Sequence, residues 1–466
     1  MLYFPAKGCH LVGEHSGERR AGAGGRVTAM ALKTQIVVVG GGAGGLELAT
    51  RLGMRFGRKD YDIILLEKNR THIWKPLLHE VAAGSLDANL DEIGYRSHGH
   101  RHRYRFFYGA MQGIDRESRE VIVARLLDED GSEIMAEHRI RYDYLVIAVG
   151  SVSNDFGIAG VRENCMMLDN RSQADRFRQR LLNQCLRVSR AMARAQTADE
   201  YVRIAIVGGG ATGVELSAEL YNAAAALKHY GLEVFDETRL KVTLIEAGPR
   251  ILPALPEELA DAAREELESL GVKVMTGAQV VEATSREYRL KDGTIVPADL
   301  RVWAAGVKAP DFLHGVGGLE ANRSNQLVVG ETLQTTRDER IFALGDCAFF
   351  KPEGADRATP PRAQAAHQMA SVVFSNIKAM VEHRELRKFS YKDYGSLVSM
   401  SRFSTVGSLM GNLVGGRMAV EGRLARLMYV SLYHLHLVSI HGFANGLLRI
   451  AISQMNQVVR PRLKLH

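Results

Sequence analysis

Ile36 to Leu52 reads IVVVGGGAGGLELATRL, and Ile204 to Leu220 reads IAIVGGGATGVELSAEL. Ten of the seventeen aligned positions are identical, at an offset of 168 residues. Each stretch is a β-branched run that enters glycines and leaves with the spacing of an amphipathic helix, which predicts strand, tight loop and helix. The copies then continue in step. DIILLEKN (Asp62–Asn69) and KVTLIEAG (Lys241–Gly248) each supply a second buried strand ending in Glu. DYLVIAVG (Asp143–Gly150) and DLRVWAAG (Asp299–Gly306) supply a later one. The offset is far too long for a solenoid repeat and reads as a duplicated domain. The expected fold class is α/β, with two Rossmann-like dinucleotide-binding domains.

Gly40, Gly42 and Gly45 satisfy G-x-G-x-x-G, as do Gly208, Gly210 and Gly213. The first glycine makes the turn, the second lets backbone approach a pyrophosphate, and the third packs helix on strand. Ala43 and Gly44, like Ala211 and Thr212, open helices whose free N–H groups and dipole hold phosphate charge. Glu67, with Lys68 behind it, is placed to accept ribose hydroxyls. Glu246 takes the same place in the second copy and would repel a 2′-phosphate, which favours NADH. Gly150 and Gly306 end the later strands. Two such sites suggest hydride transfer between two cofactors, since a nicotinamide must meet its acceptor at about 3–3.5 Å. Flavin carries an ADP moiety of its own, so non-covalent FAD with NADH as substrate is the economical reading.

Length and composition bound the rest. A chain of 466 residues implies two to three domains. With 46% hydrophobic and 24% charged residues it is neither disordered nor fibrous. A net charge of +7 fits an anionic surface or ligand and does not indicate nucleic acid. Cys9, Cys165, Cys185 and Cys347 form neither CxxC nor a disulfide framework, so a reducing compartment is expected. The first 33 residues lack the apolar core of a signal peptide and read as a disordered lead, with Met30 an alternative start. Arg103 to Tyr144 alternates around Asp130-Gly131 like an antiparallel meander. The run from Ser97 to His102 would put His98, His100 and His102 on one side of an extended strand. No second pair with ligand spacing accompanies them and their neighbours are Arg, so no metal is expected.

From Leu424 to Ile452, leucines, isoleucines and aromatics recur at helical spacing, interrupted by Arg426, His434, His436, His441 and Arg449. Such interruptions do not suit a spanning helix but suit helices lying in a membrane interface. Arg460, Arg462 and Lys464 would add attraction to anionic headgroups. A packed C-terminal helix or a dimer interface is the alternative.

These loops, together with HIWKPLLHEVAAGSLD, ATGVELSAEL, LGDCA, PPRAQAAHQMA and the terminal RPRLKLH, resemble the single-subunit, non-proton-pumping type II NADH:quinone oxidoreductases. The resemblance runs from about Gln35 to His466. It implies FAD on the first loop and NADH on the second, with Gly345 and Asp346 at the ribityl-phosphate part of the flavin and Pro76 and Leu77 beside its ring. Gln364 and Gln368 match the quinone motif AQxxxQ; as i and i+4 on a helix, both amides would face one way. Glu215 matches a carboxylate near the nicotinamide and the quinone path, with Glu47 as its counterpart in the first loop. Tyr394 stands where some members place a Lys near the flavin. The implied domains are 34–155 and 325–385 for FAD, 156–324 for NADH, and a membrane-anchoring or dimerisation region at 386–466. The resemblance also implies a homodimer on the cytoplasmic face of a bacterial inner membrane, meeting NADH, a membrane quinone and anionic lipid. Two other readings share the fold: a sulfide:quinone oxidoreductase using Cys165 and Cys347, and a slow flavin-based NADH sensor.

Overall fold

The computed structural model describes residues 33–459 apart from 58–60, 196–199, 228–236, 401–403, 412–415 and 422–432. Its first sheet runs in the order Gln334–Thr335, Asp338–Ala343, Tyr144–Ile147, Thr34–Val39, Tyr61–Glu67, Arg105–Tyr108. All neighbours are parallel except the short first pair. Continuous apolar runs explain why: Ile36–Val39, Ile63–Leu66 and Leu145–Ile147 are buried, as parallel strands covered on both faces must be. Asp338–Ala343 joins this sheet almost 200 residues after its neighbour (Ile147 pairs with Ala343). The chain between them builds the second sheet, ordered Lys273–Met275, Leu240–Ile245, Val202–Val207, Leu300–Trp303 and wholly parallel. In both sheets the strand that enters a glycine loop lies between its successor and the later strand. Each loop therefore opens at a topological switch point, where ligands bind in such folds.

Met111–Asp115, Glu120–Val123 and His138–Arg141 form the expected antiparallel meander. At the Asp130-Gly131 turn, Gly131 has φ +85° and its N–H donates to Asp128 O. The second copy has a matching meander, Val280–Ala283, Glu287–Leu290 and Ile295–Pro297, absent from the sequence expectations.

After the helix Ala363–Val381 comes a three-stranded antiparallel sheet, Gly395–Met400, Ser404–Gly411 and Gly416–Glu421. Val398 of this sheet enters the hydrophobic core of the second domain. Helices over 433–441 and Phe443–Val459 follow. Among the described residues no helix is long and apolar enough to cross a membrane. The N-terminal lead, Met30, Arg426, Arg460, Arg462 and Lys464 lie outside the described residues.

One local expectation is corrected. His98, His100 and His102 sit on the helix Tyr95–His102, not on a strand. The extended stretch begins three residues later, at Arg105. On a helix, His98 and His102 are i and i+4 and stack with ring centroids 4.1 Å apart, while His100 is exposed on another face.

Histidines also fasten the helix over 433–441 to the first domain. His72 Nδ1–H donates to Gly41 O at 2.9 Å, which leaves His72 Nε2 to accept from His436 Nε2–H at 3.0 Å. His436 in turn lies against Trp74, with centroids 4.0 Å apart. His98 Nε2–H donates to Ile440 O at 2.9 Å. Burial holds these imidazoles neutral, pushing His72 and His441 down to about 4 and His98 to about 3. Unfolded histidine titrates near 6.5, so as pH falls the unfolded chain takes up protons that the folded one refuses. This part of the stability is intact above pH 6.5 and drains away as pH falls toward 4, on the order of a few kcal/mol per buried group. The thermal midpoint is accordingly expected to drop steeply between pH 6.5 and 4.5 in chelator-containing buffer. A flat midpoint across that window would contradict it.

Candidate active site

The two loops have the same stereochemistry. Gly40 (φ +103°) and Gly208 (φ +113°) make left-handed turns, where a Cβ would lie 2.3 Å from Ala148 O and 2.7 Å from Ala304. The third glycines are equally constrained: a Cβ on Gly45 would stand 1.9 Å from Gly40 O, and one on Gly213 2.0 Å from Gly208 O. The middle glycines differ. A Cβ on Gly42 or Gly210 meets nothing within 4 Å, so each faces open space at a helix start. Gly42 caps the helix Ala43–Phe56 without any side-chain hydrogen bond, leaving its first-turn donors for an anion. Ala43 is half-buried there, and Ala211 and Thr212 are exposed at the matching start of the helix Ala211–Leu227. Gly44 is a packing residue instead, since a Cβ would press within 2.9 Å of Ala366 O on the helix Ala363–Val381.

The two strand-end carboxylates also correspond. Glu67 Oε2 accepts from Gly41 N–H at 2.7 Å, and Glu246 Oε2 accepts from Gly209 N–H at 2.6 Å. Glu67 Oε1 also accepts from Asn69 N–H and Nδ2–H, and Glu246 Oε1 from Gly248 N–H, so each carboxylate braces its own loop and keeps at least one acceptor position for a ribose hydroxyl. Lys68 is exposed beyond Glu67. At the mouth of the first loop, Gly150 and Gly345 take left-handed turns with φ +70° and +72°, and Ser151 Oγ–H donates to Asp346 Oδ2 at 2.7 Å. Gly306 makes the equivalent turn in the second domain with φ +63°. Pro76 is exposed and Leu77 buried on a short turn that leads into the helix Leu78–Ala83.

Glu215 is buried at the junction of three elements. Its Oε1 accepts from Ser399 N–H at 3.1 Å, and its Oε2 lies 3.5 Å from His79 Nδ1. Burial pushes His79 down to about 4, opposed by the charge of Glu219. Glu47, its counterpart, is likewise buried and faces a histidine: His367 Nδ1 stands 2.5 Å from Glu47 Oε2. That hydrogen bond raises the pKa of the half-exposed His367. The duplicated pattern ELAT/ELSA pointed to both carboxylates. Neither histidine partner was legible, because each comes from a distant, unduplicated segment. His367 lies on a different helical face from the glutamines, and that face is the one turned to Glu47.

Gln364 and Gln368 do share a face, yet their amides are not directed at an open space. Gln364 Nε2–H donates to Asp393 Oδ1 and Gly395 O, and its Oε1 accepts from Tyr394 N–H. Gln368 brackets the Lys392 peptide, donating to its O at 2.8 Å and accepting from its N–H at 2.9 Å. Together the two amides clamp residues 392–395. Tyr394 in that segment is exposed. Two hydrogen bonds of about 1 kcal/mol each hold Lys392, so Gln368→Ala should speed tryptic cleavage after Lys392 on the order of tenfold. Peptide mapping of partial digests reads this, and an unchanged rate would show that the clamp is not what protects the segment.

This geometry, two glycine cradles on two parallel sheets, defines a two-dinucleotide oxidoreductase. The family model for pyridine nucleotide-disulphide oxidoreductases matches residues 34–370. A type II NADH:quinone oxidoreductase of Haemophilus influenzae is 47% identical over 442 residues, covering 92% of this chain and 99% of that one. Its namesake in Staphylococcus aureus is 28% identical, covering 83% of this chain and 92% of that one. The chain thus belongs to the type II NADH:quinone oxidoreductase family. The solved structure of NDH2 from Plasmodium falciparum in complex with NADH shares the fold, with a TM-score of 0.77 at 18% identity over 93% of this chain and all of that one.

Proposed function

We propose that the protein is a peripheral membrane flavoenzyme that oxidises NADH and reduces a membrane quinone without moving protons across the bilayer. The observation that carries this is the doubled cradle: two open middle glycines, each beside a carboxylate that braces its loop. On this reading residues 34–155 and 325–385 hold FAD non-covalently, and 156–324 bind NADH. When bound, FAD supplies a two-electron acceptor for the nicotinamide hydride and a donor for quinone.

The chain's own residues do the positioning. Gly42 and Gly210 admit the pyrophosphates, and Glu67 and Glu246 hold the riboses. Asp346, fixed by Ser151, marks the ribityl side, while Trp74, Pro76 and Leu77 wall the ring. Glu215 orients the nicotinamide or passes a proton, with His79 Nδ1 3.5 Å from its Oε2. Gln364 and Gln368 keep residues 392–395 in place on the quinone side. NADH is available on the cytoplasmic face of a bacterial inner membrane, where contact with anionic lipid and a homodimeric state complete the proposal.

Sulfide chemistry is disfavoured by the cysteines. Cys347 is buried in the first-domain core with its thiol pushed up to about 12, and Cys165 packs against a different core beside Tyr288. Neither is a ready thiolate.

The test is spectroscopic. FAD-loaded protein should bleach when NADH is added without oxygen and recover its colour when a soluble quinone analogue follows. A chromophore that NADH does not bleach would overturn the proposal. Bleaching without recovery would favour a sensor.

A further inference from the structure

His98 and His102 on the helix Tyr95–His102 and His441 at the end of the helix over 433–441 form a cluster outside the redox site. Each can offer one ring nitrogen, and these atoms lie within 4.8 Å of one another. All three side chains are buried. Neither nitrogen of His102 has a hydrogen-bond partner among the described residues, nor has His441 Nε2. Buried polar atoms left unpaired are uncommon and call for a reason, an unseen ion being one.

His98 fits a ligand's role in a different way. Its Nε2–H is committed to Ile440 O, which fixes the tautomer and leaves Nδ1 with the lone pair, now accepting from Tyr104 O–H at 3.0 Å. Metal-binding histidines commonly donate their other N–H to a backbone carbonyl in this manner. We propose that His98, His102 and His441 bind one late first-row divalent cation, zinc being the representative, as a tie between the helix over 433–441 and the first domain.

The chemistry narrows the ion. Three imidazoles with no carboxylate suit zinc, nickel or copper and do not suit magnesium or calcium, which need oxygen ligands. Low pKa values keep the rings neutral at pH 7, so a metal displaces no proton from them. Arg101 and Arg449 lie near enough to depress His102 and His441, and their charges limit the affinity of an added cation. Closure from 4.8 Å to the spacing around a zinc ion, with Zn–N near 2.0–2.1 Å, needs ring rotations within the cluster. The site rests on these three residues alone and does not depend on the redox assignment.

The test uses the flavin-loaded full chain, stripped with chelator and titrated with zinc chloride in a calorimeter. One ion per chain is expected, with affinity falling at least about tenfold in His102→Ala and in His441→Ala. His100→Ala, on the exposed face of the same helix, should bind like the parent. An unchanged flavin spectrum certifies that each variant is folded. A second measurement needs no variant: cobalt(II) added to the parent should give the intense visible bands of a low-coordinate nitrogen site. Zinc binding that both variants leave intact, or cobalt that keeps the faint spectrum of the hydrated ion, would overturn the proposal.

Discussion

Gly210→Val is expected to give a folded, flavin-loaded protein whose kcat/KM for NADH falls at least about a hundredfold, a loss of roughly 3 kcal/mol. A Cβ at Gly210 meets nothing within 4 Å and its φ is not left-handed, so a side chain can start there without backbone strain or a Cβ clash. It does fill the space through which a pyrophosphate must approach the helix start. The mirror variant separates the cradles. Gly42→Val should purify without yellow flavin, whereas Gly210→Val should stay yellow, bleach with dithionite and fail to bleach with NADH. Flavin content and anaerobic spectra read both outcomes. A Gly210→Val enzyme with parental kcat/KM would remove NADH from the second loop. Gly45 and Gly213 make poorer tests, because a Cβ there collides with backbone oxygen and would damage the fold itself.

What could be read before the structure follows from locality. Strand, loop and helix are contiguous in each copy, and their apolar runs and glycines are dictated by burial and close approach, so both cradles were visible in the linear pattern. Glu67 and Glu246 end those same strands and were visible for the same reason. The contacts that no local pattern announces span large sequence separations. His79 meets Glu215, His367 meets Glu47, and His436 meets His72 only because separate segments fold onto the loops. No local periodicity encodes such a meeting.

The histidine run shows a second kind of failure. Its residues SHGHRH fit a strand and a helix equally well over so few positions, and a central glycine weakens the helical signal. Tertiary packing decides the matter: from one helix, Tyr95 O–H reaches Gly41 O and His98 Nε2–H reaches Ile440 O. With the period misjudged, the pairing of His98 with His102 disappears, and with it any reason to look for His441. The glutamines show a third kind. Spacing places both on one face, but the partner of that face is the irregular stretch 392–394 that leads into the strand at Gly395, a stretch without a recognisable pattern.

Replacing Leu447, Leu448 and Met455 together by Glu is expected to release the protein from vesicles containing anionic lipid. On the helix Phe443–Val459 these side chains, with Phe443 and Ile452, lie exposed on one half of the cylinder, Phe443 at 72% and Met455 at 68%. Five large apolar groups so placed would bury readily at a headgroup–acyl boundary. Full burial of such a side chain stabilises by about 1.5–3 kcal/mol, and interfacial burial is partial, so three charges should cost roughly 4 kcal/mol, on the order of a thousandfold in partition. Oxidation of NADH with a water-soluble quinone analogue should persist, since none of the three belongs to the cradles, while turnover of a long-chain quinone held in vesicles should collapse. Co-sedimentation with vesicles and the two assays read the result together. The rival use of the same face is a seam between subunits. If the triple variant became monomeric yet partitioned as the parent does, these residues would serve assembly and the lipid contact would have to lie elsewhere.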